Sequence, residues 1–267
     1  MGSIAGDSQM RFSKALVRLP GENFSQGLTM SGPESSPDFR KALEQHAAYR
    51  RALAACGVDV TVMPADESYP DGTFVEDTFV IAERVAIATR PGAKTRLGEV
   101  ERVATALRRF RGTFEQIEAP GTLDGGDICQ VDNHFLIGLS ARTNQAGAAQ
   151  LAAILARHQY TSSMIDIRSH RSLLHLKSGI AYLGEQRFLI ASGFPPTDRL
   201  ARADVIEVAP EEMYAANAVR VNDEIFIASG FPTLTGALNE RGYRLRVLEM
   251  SEFAKMDGGL SCLSLRF

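Results

Sequence analysis

The chain has 267 residues, of which 45% are hydrophobic and 23% are charged, and its formal net charge is −3. This is an ordinary globular composition, and the lack of a basic run of five or more residues argues against a nucleic-acid partner. The apolar stretches fall well short of the roughly 18–20 residues that a membrane span needs, which argues against a membrane protein.

The N-terminal residues do not resemble a targeting signal. Residues 1–12 contain Asp7 and lack an apolar core, so we do not expect a signal peptide. We expect residues 1–10 to be a disordered start or a remnant of expression that precedes the folded part of the chain.

The first predicted elements are a strand over 14–20, a helix over 38–56 and a strand over 58–64. Within the helix, residues at spacings of three and four form an amphipathic stripe. Its members are Phe39, Leu43, His46, Tyr49, Leu53 and Cys56. Gly57 follows as a C-terminal stop.

A repeated unit dominates the remainder of the chain. Hairpins are predicted over 77–92, 127–144, 179–197 and 216–233, and the last two share the words IASGFP. Polar pairs such as Glu-Gln and Asn-Asp lie between the strands of each hairpin and suit tight turns. Recurrence of this kind indicates a repeat architecture.

Each hairpin is followed by a helix and then by a single strand. Helices are predicted over 98–110, 146–158 and 232–242, and a short helical piece is predicted near 198–203. An example of the single strand is YRLRVLEM over 243–250. The repeated unit is therefore hairpin, helix, strand.

The ends of the chain can supply one more unit. KALVRLP near the start and LSCLSLRF (260–267) would pair, and a ring closed in this way has no exposed edge strands. We therefore predict one α/β domain over 11–267, a five-bladed α/β propeller closed by the N- and C-terminal strands. An open α/β sheet is the alternative, disfavoured because the hairpins are antiparallel and no strand leads into a phosphate-type glycine loop.

The three cysteines, Cys56, Cys129 and Cys262, are odd in number and far apart. This argues against a disulfide framework and a structural zinc site, and it suits a reducing cytoplasm, which is the expected location. Cys56 and Cys129 fit the pattern of small buried hydrophobes. Cys262 differs because it lies at the glycine-rich entry to the last strand.

Acidic residues interrupt the apolar strands at two places. Asp71, Glu76 and Asp77 lie in PDGTFVED, and Asp124 and Asp127 flank two glycines in TLDGGDI. A charged loop and a plain turn remain alternatives for these two segments. Charge at the start of an apolar strand is costly without a partner, and a cationic ligand would be such a partner.

The other chemically reactive side chains are an imidazole, a thiol and two guanidiniums. His175 lies in an apolar run, where a satisfied core histidine is the common case. Arg90 and Arg142 occupy matching places just after the second strand of their units, and together they could bind a ligand carboxylate.

This inventory fits a zwitterionic ligand with a cationic far end, as in arginine. Acids would hold the guanidinium, and a thiolate from Cys262 would attack its carbon. A histidine would protonate the departing amine and then accept a proton from water. The thiol would need a lowered pKa, or it would lose its proton when the cation arrives.

The chain closely resembles the dimethylarginine dimethylaminohydrolase family, especially its bacterial members, in six segments: PDGTFVED, TRPGAKTR, LDGGD, GLSARTNQAG, LHLKSGIAYL and KMDGGLSCLSLRF. The resemblance extends over nearly the whole chain from about residue 11. It implies the five-bladed α/β propeller of the pentein superfamily of guanidine-modifying enzymes, in agreement with the repeats.

The resemblance also implies an activity. Nω-methylated arginines would be cleaved to citrulline and methylamine or dimethylamine through a covalent S-alkylthiouronium on Cys262, with His175 as general acid and base. The substrate is a small molecule, and neither a cofactor nor a metal ion is implied.

Further roles follow from the matching positions. Asp77 and Asp124 resemble the family's carboxylates on the guanidinium, although many relatives have glutamate at the position of Asp124. The remaining matches are Asp71 and Glu76 as further binding groups, Arg90 and Arg142 as the α-carboxylate clamp, and Leu28 and Met256 as main-chain carbonyls near the amino group.

Two other functions remain open from the sequence. One is an arginine deiminase acting on unmethylated arginine, which usually carries an additional helical insertion. The other is a non-catalytic binding protein on the same ring, since fold does not determine function. The outer face of the ring could also pair into a homodimer.

Overall fold

The first sheet combines the two ends of the chain. In the computed structural model, which describes residues 11–30 and 36–267, strand β1 (Lys14–Arg18) lies between β2 (Asp59–Met63) and β15 (Leu265–Arg266). β1 is parallel to β2 and antiparallel to β15, with Ala15 opposite Arg266. The predicted unit built from both chain ends is therefore confirmed, whereas the expectation for residues 1–10 lies outside the described residues.

The described residues contain four further three-stranded sheets of the same design. Each is an antiparallel hairpin whose second strand pairs in parallel with a third strand. The strands are β3 (Phe79–Ile81), β4 (Ala86–Ala88), β5 (Glu115–Gln116), β6 (Ile128–Val131), β7 (His134–Leu139), β8 (Thr161–Asp166), β9 (Ile180–Gly184), β10 (Arg187–Ala191), β11 (Asp204–Val208), β12 (Val219–Val221), β13 (Glu224–Ala228) and β14 (Leu245–Leu248).

Helices connect the second and third strands of the units. They are α1 (Phe39–Ala55), α2 (Glu99–Leu107), α3 (Gln145–Arg157) and α4 (Pro232–Glu240), and a short α5 (Ser251–Ala254) follows β14. The predicted helices are confirmed to within a few residues at their ends. The piece predicted near 198–203 is a 3-10 helix over Leu200–Arg202.

The helix starts follow ordinary capping chemistry. The Asp38 side chain accepts a hydrogen bond from the Lys41 amide at the start of α1, and the Asn144 side chain accepts one from the Gly147 amide at the start of α3. None of the helices among the described residues is both long enough and apolar enough to cross a bilayer.

The apolar core is divided between neighbouring units. Every hydrophobic cluster found among the described residues draws on two adjacent sheets, and one of them joins Phe226 of the fifth sheet to Ala15 of the first. The order of packing therefore follows the cycle expected of a five-bladed propeller. The first strands of all five sheets also line one axial cavity of about 170 Å³.

A short 3-10 helix leads into the first strand of every unit in the described part of the chain. These helices are Val75–Thr78, Gly125–Asp127, Leu176–Ser178, Pro210–Ala216 and Ser261–Leu263. We call them the entry turns. Because the first strands surround the axis, the entry turns bring residues that are far apart in the sequence to one end of the molecule.

Candidate active site

Half of the residues that the sequence singles out lie in the entry turns or directly before them: Glu76, Asp77 and Cys262 lie within, and Asp124 and His175 immediately precede their turns. A narrow cavity of about 30 Å³ lies beside them. We call it the entry cavity, and its lining consists of Leu28, Asp71, Phe74, Asp77, Arg96, Arg142, Leu174, His175, Met256, Asp257, Gly258 and Cys262. The predicted thiol and imidazole are thus on the wall of one cavity.

Cys262 lies in the last entry turn, three residues before β15 begins at Leu265. Its Sγ accepts a hydrogen bond from the Gly259 amide at 3.4 Å. Burial, followed by the negative charges of Glu76 and Asp77, raises the pKa of the thiol to about 12. The cysteine is therefore a neutral thiol until a cation comes close to it.

His175 immediately precedes its entry turn and is 6% exposed. Its Nε2 lies 3.0 Å from Oδ2 of Asp124. Burial alone would lower the pKa of His175, but the charge of Asp77, the hydrogen bond to Asp124 and the charge of Asp127 raise it to about 9. The imidazole is therefore protonated at neutral pH and can act as an acid.

Asp124 supports the imidazole and does not line the entry cavity. It is 0% exposed, and its second oxygen, Oδ1, accepts a hydrogen bond from the Gly92 amide at 2.8 Å. The contact expected between Asp124 and the substrate guanidinium stays a prediction. Gly126, two residues after Asp124, leaves room for the imidazole, because a Cβ at this position would lie 2.7 Å from Nδ1 of His175.

Asp77 lines the entry cavity, and its charge also acts on His175. Its Oδ1 accepts from the Gly126 amide at 2.9 Å, and its Oδ2 accepts from Arg96 at 2.6 Å. Burial would raise the pKa of Asp77, but His175 and Arg96 lower it to about 2. Asp77 therefore keeps its negative charge on the cavity wall.

Asp71 also lines the cavity, and its Oδ1 accepts a hydrogen bond from the Leu28 amide at 3.0 Å. Leu28 itself is 40% exposed, whereas Met256, which also lines the cavity, is buried. These three predicted residues therefore lie together, with Leu28 at the outer side of the cavity.

Glu76 is separated from the other predicted acids. Its carboxylate pairs with Lys177 at 2.6 Å and accepts a hydrogen bond from the Ser261 hydroxyl at 2.7 Å. It lines the axial cavity and not the entry cavity. Adjacent residues in the tight turn Val75–Thr78 point to different sides, so Glu76 and Asp77 serve different cavities.

The structure brings Arg142 to the entry cavity but not Arg90. The Arg90 guanidinium donates to the Gly121 carbonyl at 3.2 Å, and its backbone pairs with Leu123. Arg96, which sequence reasoning missed, lines the cavity instead. The segment TRPGAKTR contains both arginines, so the signal was present, but sequence alone did not show which side chain turns inward.

Arg96 and Arg142 differ in how far they are already occupied. Arg96 is buried and pairs with Asp77 and, at 2.8 Å, with Glu99. Within the residues that the structure describes, no hydrogen bond or ion pair is recorded for the Arg142 guanidinium, although its backbone amide donates to Ser140. Arg142 is therefore the guanidinium that is available to a ligand.

Asp77, Asp124 and His175 also form the group in the described residues whose ligand atoms are close enough for a metal ion, all within 4.8 Å of one another. Their closeness has a simpler cause. Arg96 forms an ion pair with Asp77, and His175 forms a hydrogen bond with Asp124.

The comparisons with known proteins agree along the whole length of the chain. A family model described as arginine deiminase matches residues 102–229. The N(G),N(G)-dimethylarginine dimethylaminohydrolase of Pseudomonas aeruginosa is 44% identical over 96% of this chain and 100% of that protein. The protein of the same name from Streptomyces coelicolor is 33% identical over 96% of this chain and 98% of its own length.

A solved structure gives the same picture. The Pseudomonas aeruginosa enzyme, determined as a cysteine-to-serine variant in complex with citrulline, superimposes with a TM-score of 0.92. It is 44% identical in sequence, and the match covers 97% of this chain and 100% of that one.

Proposed function

This chain belongs to the dimethylarginine dimethylaminohydrolase family, and from that membership we propose which of its residues carry out the reaction. It is a hydrolase that converts Nω-methylated arginines to citrulline and the corresponding methylated amine. The observation that supports the residue assignment is the presence of Cys262, His175 and Asp77 on the wall of the same cavity.

Charge decides how the substrate is oriented. The cationic guanidinium binds between the buried carboxylates of Asp77 and Asp71, because opposite charges attract strongly in a site with little water. The α-carboxylate of the substrate binds the free guanidinium of Arg142. Leu28 and Met256 border the remainder of the ligand.

Arrival of the substrate activates the nucleophile. The positive charge of the guanidinium offsets the influence of Glu76 and Asp77 on the sulfur, so the pKa of the Cys262 thiol falls and its proton leaves to solvent. The thiolate then attacks the guanidinium carbon and forms a carbon–sulfur bond.

His175 supplies and recovers the proton in the two later steps. Its imidazolium protonates the methylated nitrogen, the carbon–nitrogen bond breaks, and the amine leaves. The neutral imidazole then takes a proton from water while the water oxygen attacks the thiouronium carbon. Cleavage of the carbon–sulfur bond returns the thiolate and releases citrulline.

The nucleophile assignment is tested by Cys262→Ser, with Cys56→Ser as the matched control. Cys56 directly follows α1, its thiol lies beside Glu224 of β13, and it does not line the entry cavity. We expect Cys262→Ser to lose nearly all citrulline formation and to retain substrate binding measured by calorimetry. Full turnover in Cys262→Ser would refute the assignment.

The covalent step has its own measurement. Mass spectrometry of protein quenched during turnover should show an adduct on the peptide that contains Cys262. A quenched sample with an adduct elsewhere, or with none under conditions where turnover is fast, would contradict the covalent step at this residue.

The match to the arginine deiminase model favours unmethylated arginine as the second candidate substrate. One or two methyl groups are worth only about 1–3 kcal/mol of discrimination. Citrulline formation should therefore be compared for arginine, monomethylarginine and asymmetric dimethylarginine. Faster turnover of plain arginine would assign the chain to the deiminase activity.

Three further expectations stay predictions. Residues 11–267 act as one catalytic domain, the protein is cytoplasmic, and its outer face could form a homodimer. Sedimentation of the purified protein at several concentrations tests the last of these.

A further inference from the structure

Four units supply Asp77, Asp124, His175 and Cys262 from their entry turns or from the residue directly before them, but the unit of β12, β13 and β14 has no assigned role. In that unit, Asn217 lies directly after the entry turn Pro210–Ala216. We propose that Asn217 is a positioning residue for the reaction: its side-chain amide fixes the segment that carries Cys262 against the segment that carries His175. The inference rests on the proposed roles of those two residues.

Both polar atoms of the Asn217 side-chain amide form hydrogen bonds with these two segments. Its Oδ1 accepts a hydrogen bond from the Ser261 amide at 3.0 Å, one residue before the nucleophile. Its Nδ2 donates to the Lys177 carbonyl at 2.8 Å, two residues after His175, and to the Ser261 hydroxyl at 3.1 Å. One planar group therefore spans the thiol segment and the imidazole segment.

The burial of Asn217 makes these bonds difficult to replace. The side chain is 8% exposed, and a buried amide left without hydrogen-bond partners is destabilising. A Cβ on Gly259 would lie 2.4 Å from Oδ1 of Asn217, so the backbone before Cys262 must be glycine to come this close. The same glycine amide donates to the Cys262 sulfur.

The network continues beneath the cavity. The Ser261 hydroxyl, which accepts from Asn217, donates to Glu76, and Glu76 pairs with Lys177. Asn217, Ser261, Glu76 and Lys177 thus form a closed loop of polar contacts. Glu76, which does not line the entry cavity, is therefore placed to support the nucleophile segment from below.

Asn217 is absent from the lining of the entry cavity, so its effect must pass through the segments that it holds. Removing it should leave substrate binding largely intact. It should lower the rate of the chemical step, which depends on the separation between sulfur, imidazole and guanidinium carbon.

Asn222 provides a matched control because it is a second asparagine that is 8% exposed and that links distant segments. Its Oδ1 accepts from the Phe12 amide, and its Nδ2 donates to the carbonyls of Phe12 and Cys56. None of these residues lines the entry cavity. Asn222→Ala therefore removes a comparable amide crosslink without touching the catalytic segments.

The experiment measures kcat, KM and Tm of the full-length protein with asymmetric dimethylarginine for Asn217→Ala, Asn217→Asp and Asn222→Ala. Asn217→Asp keeps the oxygen that Ser261 requires and loses the donor to Lys177, so it tests the crosslink in an isosteric side chain. For both Asn217 variants we expect kcat to fall about a hundredfold, the loss that a misplacement of about 1 Å can cause, with little change in KM.

Asn222→Ala is expected to lower Tm and to keep kcat. A kcat within about twofold of the unsubstituted protein for either folded Asn217 variant would overturn the proposal. So would an equal loss of kcat in Asn222→Ala, or failure of both Asn217 variants to fold, because Asn217 would then be a general structural residue. Cys262→Ser in the same assay distinguishes failure of the nucleophile assignment from failure of the Asn217 proposal. If Cys262→Ser kept its turnover, the nucleophile assignment would be refuted, whereas the Asn217 variants test the crosslink.

Discussion

Asp124 holds His175 with a side chain one methylene shorter than that of a glutamate. The shorter arm reaches the imidazole at 3.0 Å while its other oxygen stays bound to the Gly92 amide. Both oxygens are therefore engaged, which limits the rotation of the carboxylate and defines the orientation of the ring. The carboxylate also stabilises the positive charge that the ring carries as an acid.

Replacing Asp124 by asparagine should therefore change the pH profile as well as the rate. The hydrogen bond that His175 forms with the Asp124 carboxylate contributes to raising the pKa of His175 to about 9. Replacing the charged carboxylate with a neutral amide therefore lowers the pKa of His175. The protonated acid would then be lost at a lower pH, and the basic limb of the kcat profile would move downward in pH. We expect kcat to fall about a hundredfold or more. An unmoved basic limb in a measured pH profile would contradict this role.

The two arginines predicted as a clamp offer a direct comparison. The Arg142 guanidinium faces the entry cavity, whereas that of Arg90 is bound to the Gly121 carbonyl. We expect Arg142→Ala to raise KM about tenfold or more, the effect of losing about 1.4 kcal/mol of binding, and to raise it further than Arg90→Ala does. Steady-state kinetics of the two variants measure this. Equal increases in KM would indicate that Arg90 also binds the substrate.

At this scale the sequence predicts which residue types meet but not the direction of each side chain. Cys262, His175 and Asp77 reach one cavity as expected. Glu76 turns to the other side because it is the neighbour of Asp77 in a tight turn. The burial of Arg96 was not predicted, because a charge two residues after Lys94 in a polar segment resembles a surface residue. In the folded protein Arg96 is buried in ion pairs with Asp77 and Glu99.

Among the helices, α1 contains a buried group that limits stability in acid. Neither ring nitrogen of His46 has a hydrogen-bond partner among the described residues. Burial, assisted by the charge of Arg50, lowers the pKa of His46 from 6.5 to about 3. Between these two values the unfolded chain binds a proton that the folded chain does not bind, so folding stability is fully present above pH 6.5 and falls as the pH decreases.

His46→Leu removes this titration and should flatten the dependence. We expect the Tm of the variant to increase relative to that of the unsubstituted protein when the pH is lowered from about 7.5 to about 5. At about pH 5 the unfolded chain protonates His46 and the folded chain does not, so His46 opposes folding there. Thermal unfolding monitored by circular dichroism at both values measures it. A constant difference in Tm would show that His46 does not titrate differently in the two states.

Local sequence predicts the elements well because each has its own signal. The stripe of α1, Asp38 before it and Gly57 after it define that helix without reference to the fold. The entry turns were not predicted, because a short 3-10 turn has no periodicity to detect. They nevertheless contain or directly follow the proposed catalytic groups, so elements that are difficult to predict build the site.

The whole molecule was the most predictable level. Two copies of IASGFP and a recurring hairpin–helix–strand order indicate four internal units, and the paired ends of the chain supply one more. Cyclic packing follows from the units themselves, since each buries its apolar faces against its two neighbours. The cavity geometry at the entry turns could not be derived in this way, because it depends on contacts between units far apart in the chain.

The pairing of β1 with β15 has a consequence for protein synthesis. Leu16 can pair with Leu265 only after that residue, 249 positions later in the sequence, has been synthesised. Until then the first unit lacks a strand, and Cys262, three residues before Leu265, cannot be held in its place. We therefore expect a product of translation interrupted before these residues to be inactive, because it lacks both the closing strand and the proposed nucleophile.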